Sequence, residues 1–293
     1  MDDNEKEDGR IDLWYLLESS VEVQDLITEA FMETIEACRS SDATYARYAG
    51  AQMHYYSSRC RAMNALLQNW MLWDSDIIFR SALECATRYL FVSIAEGPER
   101  HDRTAEYTEL LSEIEDIHRT DKVRIAARNN SDALQSMLLS GAALPPDRLE
   151  DLRSRWPRSR RSALKQRWSF SEIVRVLQQY KRNTLDLTGY GSLLHSYSIS
   201  SHLVHADQTA MTLMFDRATR DDHEREMLEQ AHFCRLVTEQ TSLLFICWKA
   251  MEHALARTSG RLDITKALLD LYEISRPFHD EFGRSQEHLY KHL

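Results

Sequence analysis

Residues 43–95 run without a proline and with a single glycine, Gly50, before Gly97-Pro98 closes the stretch. A chain that goes this far without a breaker is committed to long helices, because β folds need a turn every few residues. The whole sequence repeats the pattern, with only 8 glycines and 5 prolines in 293 residues. Strand signals are nearly absent, and no repeat of solenoid period is found. The expected fold is all-α, a bundle of long amphipathic helices with a small basic insertion.

Apolar residues at helical spacing (Leu13, Leu16, Leu17, Val21, Leu26, Ile27, Phe31, Ile35) predict a first helix from about 11 to 39. The acidic stretch 1–10 before it reads as a disordered tail. Residues 43–95 predict one very long helix, or two meeting near Asp74. Helices are then expected at about 99–118, 120–139, 147–155, 171–180, 192–216, 222–257 and 262–275. Residues 140–170 are expected as a loop with the basic insertion. Pro277 is expected to interrupt the last helix and leave 277–293 as a separate terminal one. Residues 11–293 are taken as one helical-bundle domain.

The formal charge of −10 argues against a nucleic-acid binder as a whole, while leaving room for a local basic patch. Five cysteines, an odd number without Cys-x-x-Cys spacing, suit reduced thiols in a cytoplasmic protein. The polar N-terminus is unlike a signal peptide, and no apolar run is long enough for a membrane span.

The densest group of reactive side chains is His195-Ser-Tyr-Ser-Ile-Ser-Ser-His-Leu-Val-His-Ala-Asp207. Tyr197, Ser201 and His205 are spaced i, i+4, i+8, which puts them along one side of a helix. His202 and His205, with His195 and Asp207 nearby, could serve as metal ligands or as a general base; a satisfied polar network in a bundle core would account for them equally well. On another helix Arg80 and Glu84 stand at i, i+4 among Ile77, Ile78, Phe79, Leu83 and Leu90, followed by Arg88. That pair is either a surface ion pair or a partly buried couple with a functional role.

Other patterns carry less. Glu115-x-x-His118 and Glu229-x-x-His232 have the spacing of di-iron bundle ligands, at a frequency near chance. Arg47…His54, Arg217…His223 and Arg225…His232 meet the loose Arg–His signature of HEPN-type ribonucleases. Arg153, Arg155, Arg158, Arg160 and Arg161, with Lys165, Arg167, Trp156 and Trp168 interleaved, suit phosphate contact and base stacking. The same run also suits a solvated loop, or an acidic protein surface such as another subunit of a homo-oligomer. No phosphate loop, nucleophile elbow or Cys/His zinc pattern occurs, and no metal or cofactor is expected.

Phe79-Arg-Ser-Ala-Leu-Glu-Cys-Ala-Thr-Arg-Tyr-Leu90 and Tyr197-Ser-Ile-Ser-Ser-His-Leu-Val-His-Ala206 together resemble a bacterial family of unknown function, DUF5677, over roughly residues 45–255. The resemblance implies a helical protein whose shared polar positions are Arg80, Glu84, Tyr197, Ser201 and His205; it implies no activity. The helices at 75–95 and 192–216 are expected to pack together and bring these five side chains into one site. Two classes of function follow. One is a binding or interaction module, with bacterial stress or anti-phage response as a setting. The other is a HEPN-like metal-independent nuclease using His205, Arg80 and the basic run.

Overall fold

The computed structural model describes residues 3–182 and 184–290, with side chains over 12–182 and 184–287. In chain order the helices are α1 (Asp3–Arg39), α2 (Ala43–Gln68), α3 (Leu72–Ser93), α4 (Pro98–Ala105), α5 (Leu111–Asn129), α6 (Ala133–Gly141), α7 (Pro146–Arg155), α8 (Arg158–Arg167), α9 (Phe170–Leu177), α10 (Leu193–His205), α11 (Gln208–Thr219), α12 (Asp222–Ala254) and α13 (Leu262–Tyr290). A π turn, Glu106–Leu110, joins α4 to α5, and a 3-10 turn, Thr188–Ser192, leads into α10. The described strands are two antiparallel pairs of residues, Lys181–Arg182 with Leu185–Asp186. The fold is therefore all-α, as the scarcity of breakers dictates. The backbone from Asp3 already belongs to α1, so that helix begins inside the stretch read as a tail; Met1 and Asp2 lie outside the described residues.

The chain divides into two compact units, 1–94 with 174–293, and 95–173. In the first, α2 packs on α3, α1 on α2 and α12, α3 on α12, and α13 on α1 and α12, while α10 lies against α3. Phe31, Met63, Leu67, Phe79, Tyr89, Phe233 and Trp248 are fully buried among them. A polar layer crosses this core. Asn64 donates to Gln24 Oε1 (3.2 Å), Gln240 donates to Asn64 Oδ1 (2.8 Å), and Gln24 donates to Thr241 Oγ1 (3.0 Å). Such a layer fixes helix register, since a slip would leave amides unpaired.

Besides the break expected near 119, which α5 runs through, four boundaries differ from the sequence expectation, each for a physical reason. The break between α2 and α3 falls at Asn69–Met71 rather than at Asp74. Trp70 takes a left-handed φ of 57° there, its ring stacked on Phe233 and its Nε1 donating to Glu229 at 3.0 Å. The expected helix 192–216 is two helices, broken at Ala206 (φ 47°). Asp207 caps α11 by accepting from the amides of Thr209 and Ala210, and an N-cap starts a new helix rather than continuing the old one. Pro277 does not end the last helix, since α13 continues through it to Tyr290. A proline removes one backbone donor from the helix, and the packing of α13 on α1 and α12 offsets that loss.

The fourth difference is in the second unit. The stretch 140–170 holds, besides the helix expected at 147–155 and seen as α7, a second helix, α8, where the basic run was expected as a loop. Leu149, Leu152 and Trp156 recur at helical spacing and bury against Ile114 and Ile117 of α5. No helix among the described residues is long and apolar enough to cross a membrane. All five cysteines are free and buried, and burial pushes the Cys60 and Cys85 thiols up to about 12.

Candidate functional site

The packing of α10 on α3 brings together three of the five expected site residues. The Arg80 guanidinium lies 4.8 Å from the centre of the Tyr197 ring and donates to its hydroxyl at 3.1 Å. That hydroxyl donates to Glu84 Oε1 at 3.2 Å. Glu84 Oε1 also faces Arg80 Nε (3.3 Å), and Arg88 takes Glu84 Oε2 (3.2 Å). All four side chains are partly buried, and the carboxylate is shared by two guanidiniums and a phenol.

Ser201 and His205 do not join them. Ser201 is half-buried and His205 exposed, and neither shares a hydrogen bond or ion pair with Arg80 or Glu84 among the described residues. Each i, i+4 step turns about 40° around a helix, so two steps carry His205 about 80° away from Tyr197. The helix then ends at His205 itself. His202 is bound to Asp207 instead, at 2.7 Å, where it supports the cap of α11. Tyr197→Phe should lower stability by about 0.5–1.5 kcal/mol through loss of the bridging hydroxyl, read by urea denaturation, with helical content unchanged.

A second and more buried cluster was not expected from the sequence. Asp76 on α3 is 1% exposed. Its Oδ2 is 2.6 Å from His232 Nε2, and its Oδ1 accepts from Arg235 at 2.8 Å. Arg235 also holds Glu239 at 2.9 Å, so both ends of its guanidinium are matched by carboxylates. Arg217 of α11 is placed differently. It stacks 4.2 Å from the Trp73 ring centre, and its Nη1 lies 2.7 Å from His232 Nδ1.

That last contact fixes the state of the imidazole. A guanidinium can only donate, so Nδ1 must carry the lone pair. Nε2 then carries the proton and donates to Asp76. Burial pushes His232 down from its ordinary value, and the charges of Arg235 and Arg217 push the same way against the opposing pull of Asp76. The ring is neutral, with one defined tautomer. Burial acts to raise the Asp76 carboxyl, but the Arg235 charge and the His232 hydrogen bond outweigh it and hold the group below the usual carboxylate range.

These residues line a cleft of about 480 Å³. Its polar wall includes Asp76, Arg217, His232, Arg235 and His279, and its apolar wall includes Trp73, Ile199, Leu213, Leu228 and Phe282. A mostly apolar lining with a few convergent polar groups is the usual makeup of a small-molecule site. Chemically, the cleft offers a cation on an aromatic face and an Asp–His pair whose free nitrogen is covered by that cation.

The sequence carried a signal for this cluster. Asp76 interrupts an otherwise buried face that includes Leu72, Phe79 and Leu83, and His232 and Arg235 interrupt one that includes Met227, Ala231, Cys234 and Leu236. His232 drew attention only through two spacings, and neither holds. Glu229 is taken by Trp70, and Arg225 pairs with Asp222 at 2.5 Å. The other half of the di-iron pattern, Glu115 and His118, is occupied by Lys165, whose Nζ is 2.7 Å from the carboxylate and 2.9 Å from Nδ1. No group of three or more possible metal-ligating side chains converges among the described residues.

The basic run meets an acidic face within its own unit. Arg153 pairs with Asp121 (2.6 Å), Arg155 with Glu113 (3.0 Å) and Asp151 (3.2 Å), and Arg167 with Glu106 (2.8 Å). Arg160 covers the Trp156 ring at 4.6 Å, and Arg161 keeps a buried Nε without a hydrogen bond. Arg158 is exposed. Trp156 and Trp168 are each 4% exposed and donate from Nε1 to Glu113 (2.7 Å) and Glu106 (2.9 Å). Their rings are core, not stacking platforms for bases. Comparison with family models, curated proteins and solved structures gives no match for the chain.

Proposed function

We propose that the protein is a helical binding module that takes a small organic anion into the cleft between α3, α11 and α12. The observation that carries this reading is the position of Arg217. Arg235 and Asp76 neutralise each other in place, whereas Arg217 forms no ion pair among the described residues and lies on the cleft wall. A guanidinium stacked on an aromatic ring, with Glu229 acting on it but no carboxylate bound to it, is a ready receptor for a carboxylate, sulfonate or phosphate. The apolar wall suits an aromatic or aliphatic body attached to the anionic head, and the volume is within the usual range for such ligands.

Arg80, Glu84, Arg88 and Tyr197 fill a different part in this reading. Both guanidiniums and the phenol are bound to the one Glu84 carboxylate, so they lock α10 to α3 and hold His195 and Ile199, also on α10, at the cleft. Arg80, Glu84 and Tyr197, with Ser201 and His205, are also the positions on which the resemblance to the DUF5677 family rests, and with it a bacterial, cytoplasmic setting. The nuclease reading has less support, because it needs His205 beside Arg80 and those side chains share no contact. An acidic protein or nucleic acid at Arg158 and its neighbours would be an additional contact, outside the cleft.

Calorimetric titration with benzoate, benzenesulfonate, benzyl alcohol and benzylamine tests the proposal. The two anions should bind and the neutral and cationic analogues should not. Arg217→Gln should weaken benzoate by about ten- to a hundredfold, the usual worth of a hydrogen bond to a charged group. Equal binding of all four compounds, or an Arg217→Gln protein that binds like the parent, would overturn it.

A further inference from the structure

Arg217, which forms no ion pair among the described residues, covers the lone pair of a buried histidine, so the two groups cannot act independently. We propose that an anion entering the cleft draws Arg217 off His232 and that His232 then takes up a proton on Nδ1. This rests on the binding reading above and adds to it a proton that travels with the ligand. The proton comes from solvent and forms an N–H bond with the lone pair that Arg217 had occupied. Nothing else is transferred.

The geometry supplies each element of this exchange. Arg217 can bond either to Nδ1 or to an incoming oxyanion with the nitrogen that now faces the ring, because that nitrogen is 2.7 Å from Nδ1. Once it turns to the anion, Nδ1 has lost its donor while Nε2 stays 2.6 Å from Asp76. An imidazolium held between a carboxylate and a bound anion is favoured, whereas one facing the Arg217 guanidinium, with the Arg235 charge also acting on it, was not.

The groups that face His232 can be named element by element. On α3 they are Asp76 and the Trp73 ring, which meets the imidazole edge-on at 5.1 Å. On α11 there is Arg217, and on α12 itself Arg235, with Glu229 acting on Arg217 and Glu239 on Arg235. His195 of α10 and His279 of α13 line the same cleft. Burial and the Arg235 charge push His279 down as well, so it is the alternative proton acceptor that a test must separate. Among the described residues, only His232 has its acceptor nitrogen covered by the group that the ligand removes.

Benzoate is a suitable probe because its carboxylate stays ionised above pH 6. Calorimetry at pH 6.5 in buffers of different ionisation enthalpy should show a fraction of a proton taken up per benzoate bound, falling to zero at pH 8.5. The affinity should rise as the pH is lowered, by at most tenfold per pH unit for one coupled proton. In His232→Gln, titrated to saturation, the uptake should be zero. In case that variant does not fold, imidazole ¹⁵N spectra of the parent protein give the same answer. Free His232 should show a bare Nδ1, and benzoate should convert it to a protonated one. Binding without proton uptake, uptake that survives in His232→Gln, or an unchanged Nδ1 signal would overturn the proposal while leaving the binding reading intact. Absence of benzoate binding would overturn both.

Discussion

Asp76→Ala should lower the stability of the first unit by about 3–5 kcal/mol, one of the two largest effects expected of any single substitution outside the apolar core. The carboxylate is almost fully buried and, among the described residues, is the only acceptor for His232 Nε2. Its removal leaves that N–H without a partner and strips Arg235 of one of its two carboxylates. Breaking a buried network from one side costs far more than the network contributes relative to apolar packing, because the orphaned groups keep their desolvation penalty. For a unit of this size the loss corresponds to a fall of roughly 6–20 °C in Tm. Arg276→Ala, which breaks an exposed pair with Glu273, should melt within error of the parent.

Acid should act through the same cluster. Asp76 is held below its ordinary value in the folded state, so its contribution is complete above about pH 4 and is lost as pH falls through the folded value. His232 is also pushed down, and its neutral form belongs to the fold. That contribution is complete above about pH 6.5 and declines below it, as the unfolded chain takes up the proton first. Both shifts therefore make the first unit less stable in acid, and urea midpoints at pH 7.5 and pH 5 should differ less in His232→Gln than in the parent, because the His232 shift is the one that acts in that window.

Trp156→Ala should cost about 3–5 kcal/mol in the second unit, through loss of a large buried ring. The ring packs with Ile114, Ile117, Leu149 and Leu152, and its Nε1 is bound to Glu113. Faster amide hydrogen exchange in α5 and α7 would report the loss. A Trp156 that served single-stranded nucleic acid instead would behave otherwise. Its substitution would leave exchange unchanged and weaken binding of a labelled oligoribonucleotide.

The helices were legible because their signal is repeated many times, in the spacing of apolar residues and the rarity of glycine and proline. Their ends were less so. The break at Trp70 depends on a single left-handed residue held by tertiary partners, Glu229 and Phe233, and that at Ala206 on a left-handed residue just before the Asp207 cap. The passage of α13 through Pro277 depends on neighbours that the local sequence does not show. For the site, residue types and spacing were enough to pair Arg80 and Glu84 with Tyr197, because one helix–helix contact decides it. They failed for His205, where the turn of the helix works against the i+8 spacing. They also failed for the cluster around Asp76, which draws on three separate helices. A lone aspartate on an apolar face was the available signal, since a buried carboxylate needs partners from elsewhere.

The most direct measurement is a crystal structure of the protein with benzenesulfonate bound. The account predicts the sulfonate oxygens within hydrogen-bonding distance of Arg217, the ring against the apolar wall that includes Ile199 and Leu213, and Arg217 Nη1 moved off His232 Nδ1. A sulfonate seated elsewhere, with the contact between Arg217 and His232 intact, would contradict it.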